Sequence, residues 1–167
     1  MRFHERGIQL AGILVIMVRI RKAMAEDSER VLDIWRGAVD ATHHFLSPTD
    51  RQEIEAEVVS FLPQAPLWLA VDDKDHPIGF MLLDGVHMEA LFIDPTQRGS
   101  GAGRALVQHA LSIRPNLMTD VNEQNIQAVG FYEHLGFERI GRSETDNQGR
   151  SYPLIHMRVS RILDSLK

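Results

Sequence analysis

Residues 97–104, with the sequence QRGSGAGR, have the composition of a loop that binds phosphate groups. Arg98, Gly101 and Gly103 form an R-x-x-G-x-G pattern, which follows a short apolar strand pattern and leads directly into a helical pattern. Glycines at such a junction let successive backbone N–H groups converge on an anion at the positive end of a helix. The run therefore predicts a pyrophosphate site, although a Gly-rich turn before a helix is also compatible with tight packing alone.

Two other phosphate loops do not fit these residues. The run has no G-K-[ST] ending, which disfavours the P-loop of nucleotide hydrolases. Its glycines at 99, 101 and 103 also do not make the G-x-G-x-x-G of a dinucleotide-binding fold. The anion site must therefore be interpreted from the elements around it.

Hydrophobic periodicity predicts the elements that position this loop. They are a strand at 17–21, helices from 25 and at 49–62, strands at 67–71, 78–83 and 86–93, a helix at 103–112, a strand at 117–121, a helix at 124–135, and strands at 138–143 and 151–159. This order, β α α β β β α β α β β, predicts a mixed sheet with helices on both faces. Trp35 and Trp68 lie in amphipathic patterns and are predicted to be core residues.

The composition is that of one ordinary domain. The chain has 167 residues, of which 44% are hydrophobic and 25% charged, enough for a single well-buried core. A net charge of −5 argues against a nucleic-acid surface, which needs clustered Lys and Arg. The absence of cysteine excludes disulfides, thiolate nucleophiles and Cys-based zinc sites, and no metal site is predicted. A bacterial, cytoplasmic enzyme with no membrane partner fits this composition.

The N-terminal residues 1–16 are predicted to be an extension that precedes a single domain at 17–167. The apolar stretch at 8–18 superficially resembles a secretory signal, but it is too short to span a bilayer. Arg19, Arg21 and Lys22 separate it from the small residues at 23–25. Cleavage there would remove the first predicted strand, so we do not expect a signal peptide.

Three motifs, in matching order and at matching spacing, resemble the GNAT superfamily of N-acetyltransferases. They are LFIDP at 91–95, the loop at 98–103, and N-x-x-A-x-x-F-Y-x-x-x-G-F at 125–137. The resemblance covers residues 17–159 and includes the order of elements. Residues 39–43, 65–68 and 122–125 are similar, within this superfamily, to the YjaB-type bacterial acetyltransferases.

The resemblance implies a mixed α/β fold with a central, mostly antiparallel, twisted sheet that is flanked by helices on both faces and splayed between two parallel strands. It implies transfer of an acetyl group from acetyl coenzyme A (acetyl-CoA) to a primary amine by direct attack in a ternary complex. The amine belongs to a small molecule or a protein, and the enzyme is a monomer or a homodimer. The alternative is a degenerate relative that binds acetyl-CoA as a sensor or interaction module.

The resemblance also implies where the acetyl donor binds. The pyrophosphate is expected on the N–H groups of the loop, and the pantetheine arm along the backbone of the preceding strand, like an added strand. Asn125 is expected to hydrogen-bond the pantetheine region. The predicted cofactor-binding residues are Leu91, Phe92, Ile93, Arg98, Gly99, Ser100, Gly101, Ala102, Gly103, Arg104, Asn125, Ala128, Phe131 and Tyr132.

The predicted catalytic residues are Tyr132, Glu89 and His87. In the implied chemistry Tyr132 protonates the leaving thiolate, although core packing of its helix is an alternative. An attacking lysine-like amine, with a pKa of about 10.4, must lose a proton to a base. Glu89 is the first candidate for that base and His87 the second, because residues two apart on a strand project to one face. The alternative is that either side chain only lines the cleft or faces solvent.

The link between the first two helices carries the predicted acceptor-binding residues. In this superfamily the link usually forms one wall of the acceptor pocket. The residues are Asp40, His43, His44 and Phe45, with a surface histidine as the alternative for His43. The net acidity, together with Asp40, Asp84 and Glu89 near the expected cleft, fits a cationic acceptor.

Overall fold

The structure is a computed structural model that describes residues 8–10, 13–15 and 17–160. At the N-terminus a strand β1 (Ile8–Leu10) pairs antiparallel with β2 (Ile13–Val15). The rest of the predicted extension at 1–16, and residues 161–167 of the predicted domain, lie outside the described residues. The predicted domain boundary therefore stays a prediction.

From Arg19 onward the elements follow the predicted order. They are β3 (Arg19–Lys22), α1 (Ser28–Thr42), α2 (Pro48–Phe61), β4 (Trp68–Val71), β5 (Pro77–Asp84), β6 (His87–Ile93), α3 (Ala102–Ile113), β7 (Met118–Asn122), α4 (Ile126–His134), β8 (Phe137–Ser143) and β9 (Leu154–Val159). The last strand begins three residues later than predicted, because Pro153 has no N–H to donate to a strand ladder.

Seven strands form one sheet in the order β3-β4-β5-β6-β7-β9-β8. The pairs β3–β4, β4–β5, β7–β9 and β8–β9 are antiparallel. The pair β6–β7 is parallel, with His87 opposite Met118 and Met88 opposite Thr119. This confirms the predicted fold class, a mixed and mostly antiparallel sheet flanked by helices. The predicted splay between the parallel strands stays a prediction.

The chain divides into two compact units, which are described separately below. The first unit comprises Met1–Leu82 and Ala90–His109, and the second comprises Leu83–Glu89 and Ala110–Lys167. The division falls within β6, so the start of that strand belongs to the second unit and its end to the first.

The core of the first unit forms between one face of α1 and the strands β4 and β5. Val31, Ile34 and Trp35 recur at helical spacing on α1 and pack with Leu69 and Phe80. Trp35 is 4% exposed, which confirms the core prediction for this residue.

The same prediction is wrong for Trp68, which is only half-buried. Its ring contacts two polar side chains, with Lys22 Nζ 4.1 Å from the ring centroid and the centroid of the His109 ring 4.3 Å away. An alternating strand pattern cannot distinguish a buried position from one that its neighbours cover only in part, because both carry apolar side chains.

The core of the second unit lies between α4 and the strands β7, β8 and β9. Thr119, Val121 and Met157 are buried on one face of the strands, and Val129 of α4 is buried as well. Helix α4 ends at the predicted place, because Gly136 adopts φ 94°, the left-handed conformation that commonly terminates a helix.

Candidate functional site

The Gly-rich loop of the first unit has the backbone conformation that requires glycine. Gly99 and Gly101 have φ values of 81° and 85°, in the region that side chains rarely adopt. A Cβ added to either residue would meet no described heavy atom beyond its chain neighbours within 4 Å. Backbone conformation, and not tight packing, therefore explains these two glycines. Gly103 lies in the first turn of α3 instead.

The amide groups of this loop fall into two sets. The Ser100 amide donates to the Gln97 carbonyl at 3.2 Å, and the Ala102 amide donates to Ser100 Oγ at 3.3 Å. The amides of Gly103 and Arg104 belong to the first helical turn, whose N–H groups have no partner within an α-helix. An anion at this helix terminus would meet those amides and the positive end of the helix dipole.

Asp94 anchors the start of the loop to α1. Arg30 Nη2 lies 2.5 Å from Asp94 Oδ2, and Asp94 Oδ1 accepts hydrogen bonds from the Thr96 amide at 2.9 Å and its hydroxyl at 2.8 Å. Burial acts to raise the pKa of Asp94, but Arg30 and Thr96 outweigh it and lower that pKa. Sequence reasoning missed Arg30, because nothing in its local pattern separates it from other surface arginines.

The predicted pantetheine strand, at the end of β6, is closely approached by β5. Leu91, Phe92 and Ile93 are half-buried. A Cβ added to Gly79 of β5 would lie 2.6 Å from Ile93 Cδ1 and 3.1 Å from the Phe92 carbonyl oxygen. Packing therefore disfavours a side chain at Gly79, and a glycine inside a strand pattern was the signal that could have identified it.

Of the predicted acceptor-binding residues, the structure brings His43 near the same strand, with Phe45 beside His43. The ring of His43 lies 5.2 Å from that of Phe45 and 6.4 Å from that of Phe92. Burial, and secondarily the neighbouring His44, lowers the pKa of His43, which favours a neutral imidazole. Asp40 and His44 are exposed, and Asp40 forms an ion pair with Arg51 of α2 at 3.0 Å.

In the second unit, Asn125 and Tyr132 lie at the start and near the end of α4. Asn125 Oδ1 accepts from the Ala128 amide at 3.2 Å and so caps the helix. Tyr132 is 7% exposed, with the rings of Phe131 and Phe137 at 5.2 Å and 5.4 Å. Burial raises the pKa of Tyr132, and a hydrogen bond with Thr119 only partly offsets this. The phenol therefore keeps its proton at neutral pH.

The two candidate bases lie together in the second unit, as their spacing predicts. His87 Nδ1 is 3.1 Å from Glu89 Oε1, and His87 Nε2 is 3.3 Å from Asp120 Oδ2 on β7. Sequence reasoning predicted the strand at 117–121 but did not single out Asp120 within it. The alternation of β7 was the available signal, because Asp120 lies between the buried residues Thr119 and Val121 and so faces the other way.

Two further observations concern metal sites and membrane-spanning helices. Among the residues that the structure describes, no group of three or more His, Asp or Glu side chains is arranged to hold a metal ion. Within the same residues, no helix combines the length and apolarity needed to cross a membrane.

Comparison with known proteins gives concordant matches. The sequence profile of the family described as an acetyltransferase (GNAT) domain matches residues 30–160. The peptidyl-lysine N-acetyltransferase YjaB of Salmonella typhimurium is 56% identical over 142 residues, which are 85% of this chain and 98% of that protein.

Solved structures agree with these sequence matches. The solution structure of apo YjaB from Escherichia coli has a TM-score of 0.82 and 56% identity, and covers 85% of this chain and 97% of that one. The PaiA N-acetyltransferase of Thermoplasma acidophilum, solved in complex with coenzyme A, shares the fold. Its TM-score is 0.68 at 20% identity, over 84% of this chain and 98% of that one.

Proposed function

Because this chain belongs to the GNAT family and is an N-acetyltransferase, we propose that it acetylates lysine side chains of proteins, with acetyl-CoA as the donor. The observation that carries the proposal is 56% identity, across 98% of its length, to a relative named as a peptidyl-lysine N-acetyltransferase. Acetyl-CoA is the donor used by GNAT acetyltransferases. The alternative of a degenerate binding module is not favoured.

The residues of the first unit fit the donor. The left-handed Gly99 and Gly101 leave open space above the loop, and the first-turn amides of α3 follow directly. The pyrophosphate would be held there, and the backbone of residues 91–93 would bind the pantetheine arm. The bound donor supplies an acetyl thioester that a neutral amine can attack.

The residues of the second unit supply the proton transfers. Tyr132, which burial keeps protonated, would donate a proton to the leaving sulfur. Glu89 would remove the proton from the amine, with His87 as the second candidate. Asn125 would orient the pantetheine region. We further propose that this bacterial-type enzyme is cytoplasmic, acts as a monomer or a homodimer, and has no nucleic-acid or membrane partner.

Two assays test this function. The first is the thermal shift of the purified protein with acetyl-CoA, coenzyme A or ATP. A ligand at a hundredfold excess over its Kd stabilises the folded state by about 2.7 kcal/mol. We expect a saturable shift with both coenzyme forms and none with ATP. Absence of a shift with either coenzyme form would contradict the donor assignment.

The second assay distinguishes between acceptors. One peptide carries an internal lysine and a blocked N-terminus, and a matched peptide carries a free α-amino group and no lysine. Mass spectrometry after incubation with acetyl-CoA is expected to show acetylation of the first peptide. Acetylation of the second peptide alone would contradict the lysine assignment while leaving the acetyltransferase activity intact.

A further inference from the structure

A row of polar side chains crosses four strands of the second unit. Glu89 Oε1 lies 3.1 Å from His87 Nδ1, and His87 Nε2 lies 3.3 Å from Asp120 Oδ2. Asp120 Oδ1 lies 2.5 Å from His156 Nδ1 on β9, and His156 Nε2 lies 2.6 Å from Ser143 Oγ on β8. The row therefore connects the two candidate bases to residues that no motif in the sequence singled out.

Strand register explains why these side chains meet. Asp120 and His156 are direct partners in the antiparallel pair β7–β9. In the parallel pair β6–β7, His87 is opposite Met118, so Asp120, two residues further on, projects to the same face. Gly141 is opposite His156 on β8, and a Cβ there would lie 3.4 Å from the His156 ring. The glycine leaves room for that ring beside β8.

Proton positions follow from the chemistry of the partners. An ionised carboxylate can only accept hydrogen bonds, so Asp120 receives the Nε2–H of His87 and the Nδ1–H of His156. The Ser143 hydroxyl then donates to His156 Nε2. This arrangement gives neutral His87 an Nδ1 that can only accept a proton.

The same atom, His87 Nδ1, is buried and makes no hydrogen bond in the structure. It is nevertheless within ion-pair distance of the Glu89 carboxylate. With the Nε2–H tautomer assigned above, His87 Nδ1 and the ionised Glu89 carboxylate are both acceptors, so they can form a hydrogen bond only when one of them carries a proton. His87 Nδ1 is therefore positioned to accept a proton that Glu89 carries.

From this geometry we propose that Asp120 and His156 are positioning residues of a proton relay that begins at Glu89 and His87. The proposal rests on the proposed function, because the proton comes from the acceptor amine. An N–H bond of the ammonium breaks and an O–H bond forms on Glu89. That O–H then breaks as an N–H bond forms at His87 Nδ1. Asp120 balances the imidazolium charge, and the proton passes to water before the next turnover.

Two arginines near the row have carboxylate partners of their own. Arg158, two residues beyond His156 on β9, forms an ion pair with Glu138 of β8 at 3.2 Å. Arg142 of β8 pairs with Glu123 and Glu144. The carboxylates that contact the imidazole of His87 are Asp120 and Glu89.

The first test needs no substrate. The tautomer of His87 is measured by nitrogen NMR of its imidazole ring in the wild type, in Asp120→Asn and in the matched control Glu138→Gln. The contact between His87 Nε2 and the Asp120 carboxylate at 3.3 Å predicts the Nε2–H tautomer in the wild type and in the control, and Asp120→Asn is expected to change the chemical shift of Nε2. An Nδ1–H tautomer in the wild type, or an unchanged Nε2 signal in Asp120→Asn, would overturn the relay, whether or not the protein acetylates lysine.

The second test measures kcat and KM against pH. We expect kcat to fall about 30-fold in Asp120→Asn and about 5-fold in His156→Gln, with the KM for acetyl-CoA within about twofold of wild type. The double variant is expected to match Asp120→Asn alone, since both residues act through His87. Wild-type kcat and pH profile in both single variants, or multiplicative losses in the double variant, would overturn the proposal.

Two further measurements distinguish a failure of the relay from misfolding of a variant and from a failure of the proposed function. If thermal denaturation shows that Asp120→Asn is unfolded, His156→Gln and Ser143→Ala carry the kinetic test, and wild-type kcat and pH profile in both would overturn the relay. If the wild type transfers no acetyl group to any amine, the proposed function fails, and the measurement of the His87 tautomer still decides whether His87 is paired with Asp120.

Discussion

Arg30 of α1 holds Asp94 at the end of β6, with Nη2 and Oδ2 2.5 Å apart, at the point where the chain leaves the strand for the Gly-rich loop. Arg30 Nε also donates to the Pro77 carbonyl at 3.0 Å, so one guanidinium joins α1, β5 and the loop. The loop conformation therefore depends on a residue far from it in the sequence.

Asp94→Asn is expected to weaken this anchor. The neutral amide loses the charge-assisted bond to Arg30, and the free energy of unfolding should fall by about 2 kcal/mol. Urea denaturation measures the loss of unfolding free energy. A smaller thermal shift with acetyl-CoA would show that the loop binds acetyl-CoA less well. The matched control is Asp33→Asn, whose exposed carboxylate lies 3.6 Å from Arg36, and which should change stability by less than about 0.5 kcal/mol. Equal effects of the two changes would contradict the anchor.

Gly101→Ala is expected to reduce acetyl-CoA binding. Gly101 has φ 85°, and Gly149, in an exposed turn, has φ 80°, so alanine should destabilise either position by about 1 kcal/mol. Only the change in the loop should diminish the thermal shift with acetyl-CoA. If Gly149→Ala also loses the thermal shift with acetyl-CoA, the loss reflects general destabilisation and not the conformation of the loop.

Tyr132→Phe is expected to lower kcat and to leave the KM for acetyl-CoA nearly unchanged, because the ring remains and the acidic proton is lost. General acid catalysis contributes a factor of about 100 or more. Steady-state kinetics measures the change, and Tyr152→Phe is the matched control in the other tyrosine of the chain. Weakened coenzyme binding with normal turnover would instead assign Tyr132 to binding or packing.

Stability is expected to fall in acid, in part through Asp27. The hydrogen bond from Arg21 lowers the pKa of Asp27, and its backbone bond to Met24 adds to this against the effect of burial. A carboxyl whose folded-state pKa is depressed stabilises the fold above its ordinary value of 3.8, and that contribution disappears as the pH falls through the lower folded value. Urea denaturation between pH 7 and pH 3 should therefore be less pH-dependent in Asp27→Asn than in wild type. An identical pH dependence would contradict this role.

The order of elements was predictable because it depends on local periodicity. Residues 25–42 show helical spacing, and the strands alternate, so each element is recognisable without its neighbours. The C-terminal end of α4 was predictable for the same reason, since Gly136 is a local signal. Trp68 was placed wrongly because its exposure depends on which elements cover it.

The sequence by itself determined the family, the element order and the Gly-rich loop, because these depend on residues close together in the chain. The left-handed φ of Gly99 and Gly101 follows from the same local pattern. Tertiary structure alone decided that Arg30 meets Asp94, that Gly79 lies against Ile93, and that Asp120 joins His87 to His156. Those contacts depend on strand register and helix packing, which bring together residues 14 to 64 positions apart that no local spacing connects.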